Sequence, residues 1–145
     1  IENGLQPKNN LINVFFDPNN LSQAKELLVK SGYYYKEKQH FLGKKNDEYL
    51  LIKLEDIAYI EGENNDTYLH SKGQEYIVKD KLYELELLLY DKKFIRISKS
   101  FIVSINHVIK IKPTFNGKLI LLLSDKTKLE VSRHYLNKFK SYLGI

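Results

Sequence analysis

The chain has 145 residues, of which 43% are hydrophobic and 28% charged, enough for one core domain with a short appendage and too apolar for a disordered chain. It has no cysteine, which excludes a disulfide framework, a thiolate zinc site, an iron–sulfur cluster and a cysteine nucleophile. The formal charge of +5 is unevenly spread: residues 1–90 hold 11 lysines against 15 carboxylates, net −4, and residues 91–145 hold 12 cations against 3 carboxylates, net +9.

In chain order, residues 1–10 are polar and turn-rich, and Ile12, Val14, Phe15 and Phe16 form a short strand-like run ending at Asp17-Pro18. Asn19 or Asn20 can cap a helix through Leu21, Ala24, Leu27 and Leu28, with Gly32 at the position of a left-handed C-terminal cap. Residues 43–47 read as a loop, so a boundary is expected there, with a strand–helix appendage over 1–45 and a second domain over 46–145. The appendage is a candidate dimerisation or signal-input segment. Beyond the boundary the spacing predicts strands over 49–54, 57–61, 67–71 and 75–79. A helix capped by Asp80 follows, with Leu82, Leu85, Leu88 and Leu89 on one stripe. Further strands are expected over 94–97, 101–111, 118–123 and 128–131, with Asn116-Gly117 as a type I′ hairpin turn. A final helix capped by Ser132 places Tyr135, Leu136, Phe139, Tyr142 and Leu143 on its apolar face. The expected fold class is mainly β, in the α+β sense, with antiparallel sheets and short attached helices.

No apolar run approaches the roughly 18 residues of a membrane span and no signal peptide is visible, so a cytoplasmic location and no membrane partner are expected. The chain begins at Ile1 and contains no methionine, so the start codon is expected upstream. Catalytic chemistry lacks its parts. His40, His70, His107 and His134 are scattered, and no zinc-binding spacing, phosphate-binding glycine loop or nucleophile elbow is present. No catalytic residue, metal or cofactor is therefore expected. His107, among apolar neighbours, reads as a hydrogen-bonded structural residue, and Glu61, Glu63 and Asp66 read as a solvated turn.

Three polar loops stand out, each at the end of a strand: residues 63–67, 98–100 and 132–134. Their hydroxyl, amide and cationic side chains suit phosphates and base edges, although ordinary turns favour several of the same residues. Arg133 lies in the first turn of a helix, against the local macrodipole preference, which points to an anionic partner or an internal salt bridge. The Ser132 hydroxyl and the free amides of that helix start would also attract a phosphate. The depletion of carboxylates after residue 90 fits a surface facing phosphates.

Ile57-Ala58-Tyr59-Ile60-Glu61, the run from Lys81 to Glu86, the run from Phe94 to Val103, and Val131-Ser132-Arg133-His134-Tyr135 follow one another in the order and spacing of the LytTR family, which the chain resembles over about residues 46–145. The resemblance implies antiparallel sheets of the LytTR type, extended in arrangement, whose loops enter successive major grooves of double-stranded DNA in a bacterial transcription regulator. By motif match it places base contacts on Thr67, Lys99 and Arg133. It places phosphate contacts on Asn65, Ser100, Ser132, His134, Lys138 and Lys140, with Asn64 and Arg96 as further candidates. It also implies paired direct repeats, a homodimer at least on DNA, and an unknown signal-giving protein. Residues 1–45 are too few for the receiver domain that precedes most such domains. Ser104 stands where the family often has Asn, and Ser98-Lys99 where His-Arg or His-Asn is common, so a different base preference is expected. Two other readings stay open: a single-stranded nucleic-acid binder that stacks bases on its 18 Tyr and Phe residues, and a protein-interaction or dimerisation module built on the acidic N-terminal part.

Overall fold

A computed structural model of the chain describes residues 39–145, together with Gln23. The strand expected over 12–16, the helix beginning at Leu21 and the Gly32 cap lie outside the described residues, apart from that helical Gln23. Ten strands and two helices follow: β1 (His40–Lys45), β2 (Glu48–Lys53), β3 (Ile57–Glu63), β4 (Asp66–Ser71), β5 (Gln74–Val78), α1 (Leu82–Leu88), β6 (Phe94–Arg96), β7 (Phe101–Ser104), β8 (Val108–Pro113), β9 (Leu119–Leu123), β10 (Lys128–Val131) and α2 (Arg133–Leu143). The first seven strands form one sheet in the order β2-β1-β5-β4-β3-β7-β6, and the last three form a second in the order β10-β9-β8. All pairings are antiparallel. This is the mainly β class expected from the sequence.

The large sheet is tightened by two-residue turns. Asn46-Asp47, Asn64-Asn65 and Lys72-Gly73 all have positive φ at both positions, the requirement of a type I′ hairpin and the reason Asn, Asp and Gly dominate there. The first of these turns corrects the loop expected over 43–47. Gly43 is a strand residue paired with Leu50, and residues 40–45 belong to the sheet rather than to an appendage ending at residue 45. A Cβ on Gly43 would lie 2.6 Å from the Ile52 side chain and 2.7 Å from Tyr76, so the glycine marks a close approach and not a break.

Burial divides into two cores, not the single one expected from length. On one face of the large sheet Phe41, Ile52, Ile60, Leu69, Phe94 and Ile102 pack with Leu85 and Leu89 of the α1 segment. On the other face Ala58, Ile95, Ile97 and Val103 meet Leu119, Leu121, Leu123, Leu129 and Val131 of the small sheet and Phe139 of α2. Alternation explains the split: adjacent residues of β6 and β7 point to opposite faces, so a three- or four-residue strand serves both cores.

Three local expectations change. The run 101–111 breaks at a single 3-10 turn, Ile105–His107, which carries the chain from the large sheet to the small one. The β8–β9 connection is longer than a type I′ turn. Only Gly117 has positive φ there, and Thr114 and Lys118 close the loop through Thr114 N to Lys118 O at 2.8 Å and Lys118 N to Thr114 Oγ1 at 3.1 Å. Helix α1 starts one residue later than an Asp80 cap would place it, because Glu84 accepts the Lys81 amide at 2.7 Å. The structural reading of His107 holds: Nε2 donates to the Glu55 carbonyl at 2.9 Å, which leaves Nδ1, 3.1 Å from Ser124 Oγ, to accept the hydroxyl proton. This imidazole ties the turn before β3 to the end of β9.

Candidate nucleic-acid interface

The three polar loops come together at one end of the domain. Residues 64–65 turn β3 into β4, residues 97–100 join β6 to β7, and residues 132–134 lead from β10 into α2. Two backbone hydrogen bonds stitch them: Gly62 N to Ser100 O at 2.8 Å and Ser132 N to Ile97 O at 2.9 Å. The middle loop is also closed internally, since Ser98 Oγ accepts the amides of Ser100 at 3.2 Å and Phe101 at 3.0 Å, a serine turn of the kind that competes with regular ladders. Lys99 and Ser100 then share a shallow depression with Ser132, His134 and Tyr135.

The expected contact residues are placed unequally. Lys99, Arg133 and His134 are exposed, and Ser100, Ser132, Lys138 and Lys140 are half-buried. Lys99 and Arg133 form no side-chain hydrogen bond or ion pair among the described residues, which removes the internal salt bridge considered for Arg133. The Ser132 hydroxyl makes no capping bond although Ser132 holds the cap position, so it and the first amides of α2 remain open to a ligand. His134 packs edge-on to Tyr135 with ring centroids 5.1 Å apart. The Lys138 ammonium lies 6.0 Å from the Tyr90 ring centre on the following turns of α2.

Thr67 is a correction. It is 4% exposed, because the type I′ turn at Asn64-Asn65 puts Asp66 rather than Thr67 at the exposed end of β4. Its side chain is therefore covered rather than presented to solvent. Asn64 and Asn65 are exposed, but Glu63 and Asp66, also exposed, flank them, and this loop has no cation of its own. Arg96 is a second correction. It is not a projecting contact: Nε donates to Ser98 O at 2.7 Å, Nη2 to Lys99 O at 2.5 Å and Nη1 to Glu86 Oε1 at 2.8 Å.

Glu61 leaves the turn cluster expected with Glu63 and Asp66. It faces His70, whose Nε2 is 2.9 Å from Glu61 Oε1 and 3.8 Å from Glu75 Oε2, and His70 stacks on Tyr59 at 4.0 Å. Among the described residues Glu61, His70 and Glu75 are the ones whose donor atoms converge within 4.8 Å of one another, and His70 is already engaged by its hydrogen bond to Glu61 and its stacking on Tyr59. Burial raises the Tyr59 and Tyr142 phenols above their ordinary pKa. Sequence reasoning missed the parts played by Gly62 and Glu86, and read the Ser98 hydroxyl as facing phosphates or base edges where it closes its own loop. Only Ser98 carried a local signal, through its spacing from the amides two and three residues on.

The LytTr DNA-binding domain model matches residues 47–144. This chain belongs to the LytTR family. Over 96 residues it is 33% identical to the sensory transduction protein LytT of Bacillus cereus, covering 66% of this chain and 39% of that protein. It is 27% identical over 100 residues to the transcriptional regulatory protein LytR of Staphylococcus aureus, covering 69% of this chain and 41% of that protein. The chain thus spans about two fifths of the length of these curated relatives. A solved LytTr DNA-binding domain from Bacillus cereus superposes with a TM-score of 0.71 at 29% identity, covering 74% of this chain and 99% of that one. The LytTR match begins at the β1–β2 turn, so among the described residues β1 is the strand ahead of it. No helix among the described residues is long and apolar enough to cross a membrane.

Proposed function

We propose that this LytTR chain reads double-stranded DNA with loops inserted in the major groove and acts as a bacterial transcriptional regulator in the cytoplasm. The observation that carries the reading is the pair of cations, Lys99 and Arg133, without a side-chain partner among the described residues, on two loops joined by a backbone hydrogen bond at one end of the domain. In this reading Lys99 and Arg133 donate to base edges. Ser100, Ser132, His134, Lys138 and Lys140 hold phosphates, and Asn64 and Asn65 make a weaker third contact beside their carboxylate neighbours. The domain works by binding and not by catalysis. Paired direct repeats occupied by a homodimer supply the second half of the contact, and residues ahead of β1 serve dimerisation or the input from a signal-giving protein.

The test is selection from a randomised duplex library, followed by fluorescence anisotropy on the selected duplex at two salt concentrations. A paired motif with a steep salt slope is expected. Salt-sensitive binding without enrichment would remove base reading and leave only a basic surface, and preference for single strands would favour aromatic stacking instead.

A further inference from the structure

Arg96 was a candidate DNA contact, yet its side chain is only 13% exposed and the Glu86 partner 21%. All three guanidinium nitrogens are committed, two of them to consecutive carbonyls of the loop that carries Lys99. We infer that Arg96 is a positioning residue that fixes the Lys99 loop in its reading conformation, and that Glu86 of α1 in turn fixes Arg96. The inference rests on the DNA-reading assignment of Lys99 and Arg133.

A tight loop must satisfy its amides and its carbonyls. The Ser98 hydroxyl takes two amides, from Ser100 and Phe101, and the planar fork of Arg96 takes the carbonyls of Ser98 and Lys99. With both carbonyls drawn to Arg96, the Lys99 side chain is the group left facing solvent. The guanidinium carbon also lies 5.9 Å from the centre of the Tyr135 ring, in the first turn of α2 two residues after Arg133. One side chain thus touches both segments that carry the reading cations. A lysine cannot reproduce a planar fork that reaches two carbonyls and a carboxylate at once. Glu86 reaches neither loop directly, and as a carboxylate beside a phosphate-binding end it opposes DNA electrostatically. Its place is explained by what it does to Arg96, which it holds by a charge-assisted hydrogen bond on the α1 side of β6.

That sign makes the inference testable. The full chain and its Glu86→Gln and Arg96→Lys variants are compared on the selected duplex and on a shuffled duplex of equal length, alongside native-state hydrogen exchange at the Ser100 and Phe101 amides. Each variant is expected to lose about tenfold in affinity for the selected duplex, to keep its affinity for the shuffled duplex within about twofold, and to exchange the two amides faster. A direct Arg96–phosphate contact predicts the reverse for Glu86→Gln, namely tighter binding to both duplexes on loss of a negative charge. Tighter or unchanged binding by Glu86→Gln, or full affinity in Arg96→Lys, overturns the inference. If the unsubstituted chain prefers no duplex, the DNA-reading assignment has failed, and the exchange rates alone then decide the brace: faster exchange upholds it, unchanged exchange overturns it. Glu86→Gln keeps the shape of the side chain, so the comparison survives even where Arg96→Lys folds poorly.

Discussion

The two cores of the domain hold ten buried residues each, the first drawing eight of them from residues 39–90 and the second nine from residues 91–145. Over the same spans the charge goes opposite ways: six lysines against eleven carboxylates in 39–90, and a net +9 in 91–145. Burial is matched while charge is not, so the charge difference is not something folding needed. It fits the proposal that the 91–145 part faces an anion. The loops repeat this contrast on a smaller scale. The β3–β4 turn offers two asparagines between two carboxylates, whereas the other two loops offer Lys99 and Arg133, which have no ion-pair partner among the described residues.

The largest effects should fall equally on both cores. Leu69→Ala in the first and Phe139→Ala in the second, both fully buried, are each expected to destabilise by about 3–5 kcal/mol in chemical denaturation. A second core that tolerated Phe139→Ala would break the equivalence. Next in size, Arg133→Ala and Lys99→Ala should each weaken binding to the selected duplex by about 1–3 kcal/mol while barely changing binding to random duplex. Asn65→Ala should cost less than either, and a larger loss there would show that the acidic loop reads bases after all. Lys138→Ala should lower affinity for every sequence and reduce the salt slope by about one.

A smaller effect is expected at alkaline pH. Burial raises the Tyr59 and Tyr142 phenols above the usual 10.0. The folded state therefore keeps these protons to higher pH than the unfolded chain does. Their contribution is intact below pH 10 and is lost as pH rises through the folded-state values. Both tyrosines pack against the second core, so thermal melts of Tyr59→Phe and Tyr142→Phe should show a flatter decline above pH 10 than the unsubstituted chain. Least of all, Thr67→Val should leave DNA affinity unchanged within about twofold, because the buried hydroxyl reaches no ligand. A clear loss would restore Thr67 to the interface.

Most elements were legible because the pattern was strong. The alternation in β3, β4, β9 and β10 and the i, i+3, i+4 stripe of α2 are local properties, and Ser132 does hold the N-cap position of that last helix. The motif runs were also legible, and they carry the family. What was not legible depended on distant residues. Lysines and a glycine made β1 look like a loop until β2 and β5 were set beside it. Asn116-Gly117 looked like a type I′ turn until Thr114 closed a longer one. The strand through 101–111 ran unbroken in sequence because nothing local reveals that the chain must change sheets at Ile105.

The sequence by itself determined the fold class, the charge-poled surface and the three loops, since periodicity, composition and turn chemistry are written one residue at a time. The tertiary structure alone decided which members of those loops reach solvent. Thr67 and Arg96 share motifs with true surface residues, but one is buried and the other commits its donors to Ser98, Lys99 and Glu86. Burial and hydrogen-bond partners are set by residues far away in the chain, and no local spacing encodes them.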